Sequence, residues 1–116
     1  MSKILKIRAR QVFDSRGNPT IEAEVYSKSL SSSAICPSGA STGTYEAFEK
    51  RDKNNKKYLG KSVLTAVNLI NTKISKKLKG FNVHDQERID AILINLDGTS
   101  QKTKLGANAI LAVSMA

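Results

Sequence analysis

The chain has 116 residues, a formal charge of +9, no tryptophan and a single cysteine, with 40% apolar and 25% charged residues. That length supports one domain with a modest core of Ile, Leu, Val and Ala, and is short for a two-domain enzyme. A lone thiol excludes an internal disulfide, and no apolar run approaches the roughly 20 residues that span a bilayer; with no apolar signal core near the N-terminus, a reducing cytoplasm is the expected setting.

From Lys3 to Phe13 residues alternate, with Ile4, Lys6, Arg8 and Arg10 on one side and Leu5, Ile7, Ala9 and Gln11 on the other, which predicts a strand. Gly17-Asn18-Pro19 is a turn, because Gly and Asn accept positive φ and Pro interrupts a ladder. Thr20–Tyr26 alternates clearly, Ile21, Ala23 and Val25 facing away from Glu22, Glu24 and Tyr26. A second turn over Lys28–Ser32 leads to a short strand over Ser33–Cys36, in which Cys36 reads as a small buried hydrophobe. Connections this short join antiparallel strands, since parallel ones need a crossover of a dozen residues or more.

Pro37-Ser38-Gly39-Ala40-Ser41-Thr42-Gly43 follows as a run of small residues. Such a loop can bring backbone groups and hydroxyls close to a ligand with little bulk in between. Its residues alone leave two readings open. One is a plain connector. The other is a flap that offers the Ser41 hydroxyl to a hard cation, for which one serine is a minor ligand and never a complete magnesium site.

Beyond this loop the period changes. Val63, Val67, Ile70, Ile74 and Leu78 mark one face of a helix that Gly80 ends. Lys61-Ser62 is placed at its start. Asp85 offers an N-cap to a second helix with inner residues Ile89, Ile92, Leu93 and Leu96, closed by Asp97-Gly98. A third helical pattern opens near Asn108 and reaches Ala116 without a cap, from which a longer protein is expected. The whole is an α+β pattern: a three-stranded antiparallel meander followed by helices.

Two lysine-rich clusters, Lys50–Lys61 and Lys73–Lys79, raise the question of nucleic acid. Neither carries a recognition motif, and the second lies where cations complement a helix dipole, so a solvated basic surface is expected, with neither nucleic acid nor membrane as a partner. Gly60-Lys61-Ser62 resembles the end of a P-loop, but the required earlier glycine is Asn55 and no apolar strand precedes it. His84 has no companions at metal-ligand spacing beyond Asp85. No nucleophile triad or carboxylate pair can be assembled, so no catalytic residue is assigned within these residues.

Asp14-Ser15-Arg16-Gly17-Asn18-Pro19-Thr20-Ile21-Glu22, Pro37 to Gly43, Glu46-Ala47, Arg51-Asp52, Leu59-Gly60-Lys61, Leu96-Asp97-Gly98-Thr99 and Lys104 to Val113 resemble enolase blocks in the enolase order. The resemblance covers nearly the whole chain. It implies the N-terminal capping domain, residues 1–116, of a glycolytic lyase that interconverts 2-phosphoglycerate and phosphoenolpyruvate. By the same resemblance the catalytic groups reside in a C-terminal β/α barrel toward which the last helix leads, so these residues alone are expected to be inactive. Ser38, Gly39, Ala40, Ser41, Thr42 and Gly43 would form the loop that closes on substrate, Ser41 would ligate the second Mg2+, and Arg10 and Glu22 would reach the partner subunit of a homodimer. The family pattern is departed from at Lys53–Lys57, where an acidic, glycine-containing turn is usual, and at Ser62, where a glycine is usual. The alternative is a stand-alone enolase-like module that binds or scaffolds without catalysis.

Overall fold

The computed structural model describes residues 2–36, 47–52 and 62–116. Strands β1 (Lys6–Phe13), β2 (Pro19–Tyr26) and β3 (Ser31–Ile35) form an antiparallel meander in the order β1-β2-β3, as the short connections require. Ile7 pairs with Val25, Ala9 with Ala23 and Gln11 with Ile21, so the apolar alternation of both strands falls on one face. Pro19 opens β2, the position in a strand where a missing N–H costs least.

The register of the N-terminal residues differs from the expected alternation. Ile4, placed on the charged side, is 2% exposed, while Leu5 is 50% exposed. The ladder proper begins only at Lys6. Before it the chain leaves the sheet's periodicity and pairs with the turn after the first helical segment. Ile4 N–H donates to the Phe81 carbonyl and Gly80 N–H donates to the Ile4 carbonyl, both at 2.8 Å. That second pairing turns Ile4 into the core.

The first helical segment runs through α1 (Leu64–Leu69), a π-helical turn (Ile70–Ile74) and α2 (Ser75–Leu78). Val63, Val67, Ile70, Ile74 and Leu78 are all buried, as their spacing predicts. Each buried aliphatic side chain contributes on the order of 2 kcal/mol, so this row is a principal reason the segment folds against the sheet. The π turn coincides with a contact that periodicity does not reveal. Asn71 accepts from Ala9 N–H at 2.8 Å and donates to the Ala9 carbonyl at 3.1 Å, occupying the outer edge of β1 as another strand would.

Helix α3 (Gln86–Asp97) starts at Asp85, which accepts from Arg88 N–H, and ends at Gly98 with φ 74°. Ile89 and Leu93 are buried, and Ile92 and Leu96 pack against the core at its margin. Helix α4 (Ala107–Met115) lies across β2 and β3, with Ala109, Ala112 and Val113 buried. No described helix is long and apolar enough to cross a membrane.

Candidate functional site

Ser38, Gly39, Ala40, Ser41, Thr42 and Gly43 lie outside the described residues. The structure does describe what stands on either side of them. On the entrance side, Cys36 N–H donates to the Ile21 carbonyl at 2.9 Å, and the buried Thr20 hydroxyl donates to the Cys36 carbonyl at 2.6 Å. The Cys36 side chain is buried, and that burial, followed by the nearby Glu49 charge, pushes its thiol up to about 11. A thiol held so far above neutrality is a packing group rather than a nucleophile.

On the exit side, residues 47–52 are held along the connection between α3 and α4. Asn108 accepts from Lys50 N–H at 2.9 Å and donates from Nδ2 to the Lys50 carbonyl at 3.0 Å, so one side chain satisfies both backbone groups of one residue. Phe48 N–H donates to the Gln101 carbonyl at 2.8 Å, and Ala107 N–H donates to the Phe48 carbonyl at 2.6 Å. Gly106 makes this approach possible. Its φ is +91°, and a Cβ there would lie 2.4 Å from the Lys50 Cβ and 2.7 Å from Asn108 Oδ1. Conformation and space both demand glycine.

The two sides meet on β2. Arg51 donates from Nη1 to the Pro19 carbonyl at 2.8 Å and pairs with Glu49 at 3.2 Å. Pro19, Thr20 and Ile21 therefore anchor both the entry to the small-residue run and the exit from it. Asp52 then ties the exit to the helical layer. Its N–H donates to the Ser62 carbonyl at 2.8 Å, and its carboxylate accepts from Leu64 N–H at 3.2 Å and Thr65 N–H at 2.9 Å. Burial raises the Asp52 carboxyl, but hydrogen bonds from Thr65, Ser62 and Leu64 outweigh it and leave it below its usual value.

This corrects the expected start of the first helix. Helix α1 begins at Leu64, and Ser62 is not its cap. The Ser62 hydroxyl is buried and donates to Gln11 Oε1 at 2.8 Å, beside Val63 N–H at the same distance from that oxygen. The orphan N–H groups of α1 are satisfied by Asp52, a residue far upstream that no local capping pattern could identify.

Arg10 and Glu22 come together directly across β1 and β2. Arg10 Nε lies 3.0 Å from Glu22 Oε1, and the same guanidinium also pairs with Glu24. Arg10 is 59% exposed at its side chain, so within one chain this pair is worth about 0–1 kcal/mol. Among the described residues no group of three or more His, Cys, Asp and Glu could hold a metal ion.

Gly106, Asn108 and Asp97 are the structural determinants that residue patterns placed only as a helix boundary. The signal was present in Gly106-Ala107-Asn108: a positive-φ glycine beside an amide is suited to close backbone approach. Its target, Lys50, lies too far away in sequence for spacing to reveal.

A meander whose second strand anchors the segments on either side of a small-residue run, backed by a buried helical layer, defines a class of protein. The family model described as "Enolase, N-terminal domain" matches residues 4–116, and the chain belongs to that family. Among curated proteins it is similar to an enolase of Pelagibacter ubique (strain HTCC1062), 88% identical over 116 residues, which is 100% of this chain and 28% of that protein.

Proposed function

We propose that this chain is the capping domain of an enolase that dehydrates 2-phosphoglycerate to phosphoenolpyruvate. The observation that carries the reading is the family match over residues 4–116, at 88% identity to an enolase. The chain spans 28% of that relative; by the family resemblance, the base, the acid and the carboxylates of the tighter metal site would reside in a C-terminal barrel.

Magnesium, when bound, would supply the concentrated positive charge that makes a proton α to a carboxylate removable. The chain's own part is narrower. The carboxylates of Asp14, Asp52 and Asp97 are engaged by backbone N–H groups, so they fit turns and caps better than a cation. Ser41 offers a hard hydroxyl oxygen of the kind the second Mg2+ accepts. Ser38, Gly39, Ala40, Thr42 and Gly43 carry too little bulk to obstruct backbone approach to a phosphorylated substrate, and their closure would exclude water. Anchoring both neighbouring segments on Pro19–Ile21 supports this role, since a loop with fixed ends loses less entropy on ordering.

Arg10 and Glu22 are proposed to exchange part of their mutual pairing for contacts with the partner subunit in the complete homodimer. The setting of this reaction is the cytoplasm. The test is spectrophotometric: phosphoenolpyruvate formation by the complete polypeptide and by the 116-residue chain alone, at saturating magnesium. Turnover by the complete protein only is expected. Turnover by the short chain, or none by the complete protein, would overturn the assignment.

A further inference from the structure

The ladder between β2 and β3 is stopped by chemistry at Cys36. Cys36 N–H donates to the Ile21 carbonyl at 2.9 Å, and Ala34 pairs with Ala23 before it. In an antiparallel pair the next hydrogen-bonding position on that edge of β2 lies two residues away, at Pro19. A proline has no N–H to donate. Its carbonyl already accepts from Arg51 Nη1 at 2.8 Å.

Thr20 stands between these two positions. By strand alternation its side chain shares a face with Glu22 and Glu24, yet Thr20 is only 3% exposed. Its hydroxyl donates to the Cys36 carbonyl at 2.6 Å, a side-chain donor beside the backbone donor that Pro19 lacks. Unlike a ladder bond, this one does not lead on to another. A frayed strand end lets a chain leave a sheet at several positions, whereas a buried hydroxyl on the last paired residue selects one.

Resting on the enolase reading above, we propose that Thr20 is a positioning residue for substrate binding. It acts through Cys36, whose carbonyl it fixes as the point from which the chain departs toward Ser41. Where the correct departure is populated only part of the time, apparent substrate affinity falls by that fraction, while bound substrate reacts at the usual rate. A hydrogen bond of ordinary net strength holds such an equilibrium at roughly ten to one. The role therefore belongs to KM more than to kcat.

The test is steady-state kinetics of the complete enolase on 2-phosphoglycerate at saturating magnesium, with hydrogen exchange at Cys36 N–H alongside. Thr20→Val keeps the branched shape and removes the donor. It should raise KM on the order of tenfold, change kcat by less than about twofold, and speed exchange at Cys36. Thr20→Ser retains the hydroxyl and should bring KM back to within about threefold of the parent enzyme. Should Thr20→Val fail to fold, Pro19→Ala serves, because it returns a backbone donor to the edge of β2 and should also raise KM, by roughly fivefold. The proposal is overturned by an unmoved KM in Thr20→Val or Pro19→Ala, by a loss confined to kcat, or by Thr20→Ser behaving like Thr20→Val. A parent protein without turnover overturns the enolase reading itself, and this assignment with it; normal parent turnover with any of the former results overturns the assignment alone.

Discussion

Asp14 and Asp97 perform the same local task in opposite surroundings. At the tip of the β1–β2 turn, Asp14 accepts from the N–H groups of Arg16 and Asn18, both at 2.9 Å, with the Arg16 guanidinium 3.9 Å away. At the end of α3, Asp97 accepts from Thr99 N–H at 3.0 Å, from Leu105 N–H at 2.7 Å and from the Thr99 hydroxyl, and it is fully buried. Asp14 keeps 16% of its side-chain surface exposed, so water can partly replace its carboxylate. Around Asp97 it cannot, so the same bonds become a condition of the fold there. The connection that Asp97 organises then leads into Gly106 and Asn108, which hold residues 47–52. A buried turn thereby supports the framing of the candidate site, while the exposed turn supports only a hairpin.

The contrast can be broken by substitution. Asp97→Ala should lose on the order of 3 kcal/mol in urea unfolding, because it leaves buried donors unpaired. Gly106→Ala should cost about 2–3 kcal/mol, combining strain at positive φ with overpacking against Lys50, whereas Gly17→Ala should cost only about 1 kcal/mol; Gly17 shares the positive φ, but a Cβ there meets nothing within 4 Å. Thermal unfolding of the pair separates conformation from contact. Asn108→Ala should lose about 1–2 kcal/mol and speed hydrogen exchange at Lys50 N–H, with little change at Ala9 N–H, which Asn71 holds. Asp14→Ala should show the smallest effect in the same unfolding measurement.

Acid sharpens the same comparison. Burial raises the Asp97 carboxyl, but hydrogen bonds from Leu105, Thr99 and Lys104 outweigh it and leave it below the usual value. Asp14 is lowered chiefly by the backbone hydrogen bond from Asn18. For both, the stabilising contribution is present above the unfolded carboxylate pKa of about 3.9 and is lost as pH falls through the lower folded value. Stability should therefore decline below about pH 4, and Asp97→Asn should flatten that decline more than Asp14→Asn.

What could be read from residues alone follows the range of the interactions. Val63 to Leu78 revealed its buried face because helical period is local, and Ile21, Ala23 and Val25 did so because strand period is local. Ile4 misled because its partners are Gly80 and Phe81 rather than a neighbouring strand. Ser62 misled because the helix it was expected to start begins at Leu64, where Asp52 accepts from the first N–H groups, and Asn71 went unseen because its target is a backbone edge in another layer. At the candidate site, the resemblance picked out the small-residue run and implied its chemistry, and the run itself lies outside the described residues. Its anchoring was not legible in the sequence, since Asn108 and Lys50 meet across 58 residues of sequence.

The most direct measurement is the magnesium dependence of turnover in the complete enzyme carrying Ser41→Ala, beside its thermal unfolding. The account predicts a higher magnesium requirement and lower turnover, on the order of tenfold or more, at an unchanged unfolding temperature. Unchanged turnover and magnesium dependence would contradict the role given to the small-residue loop.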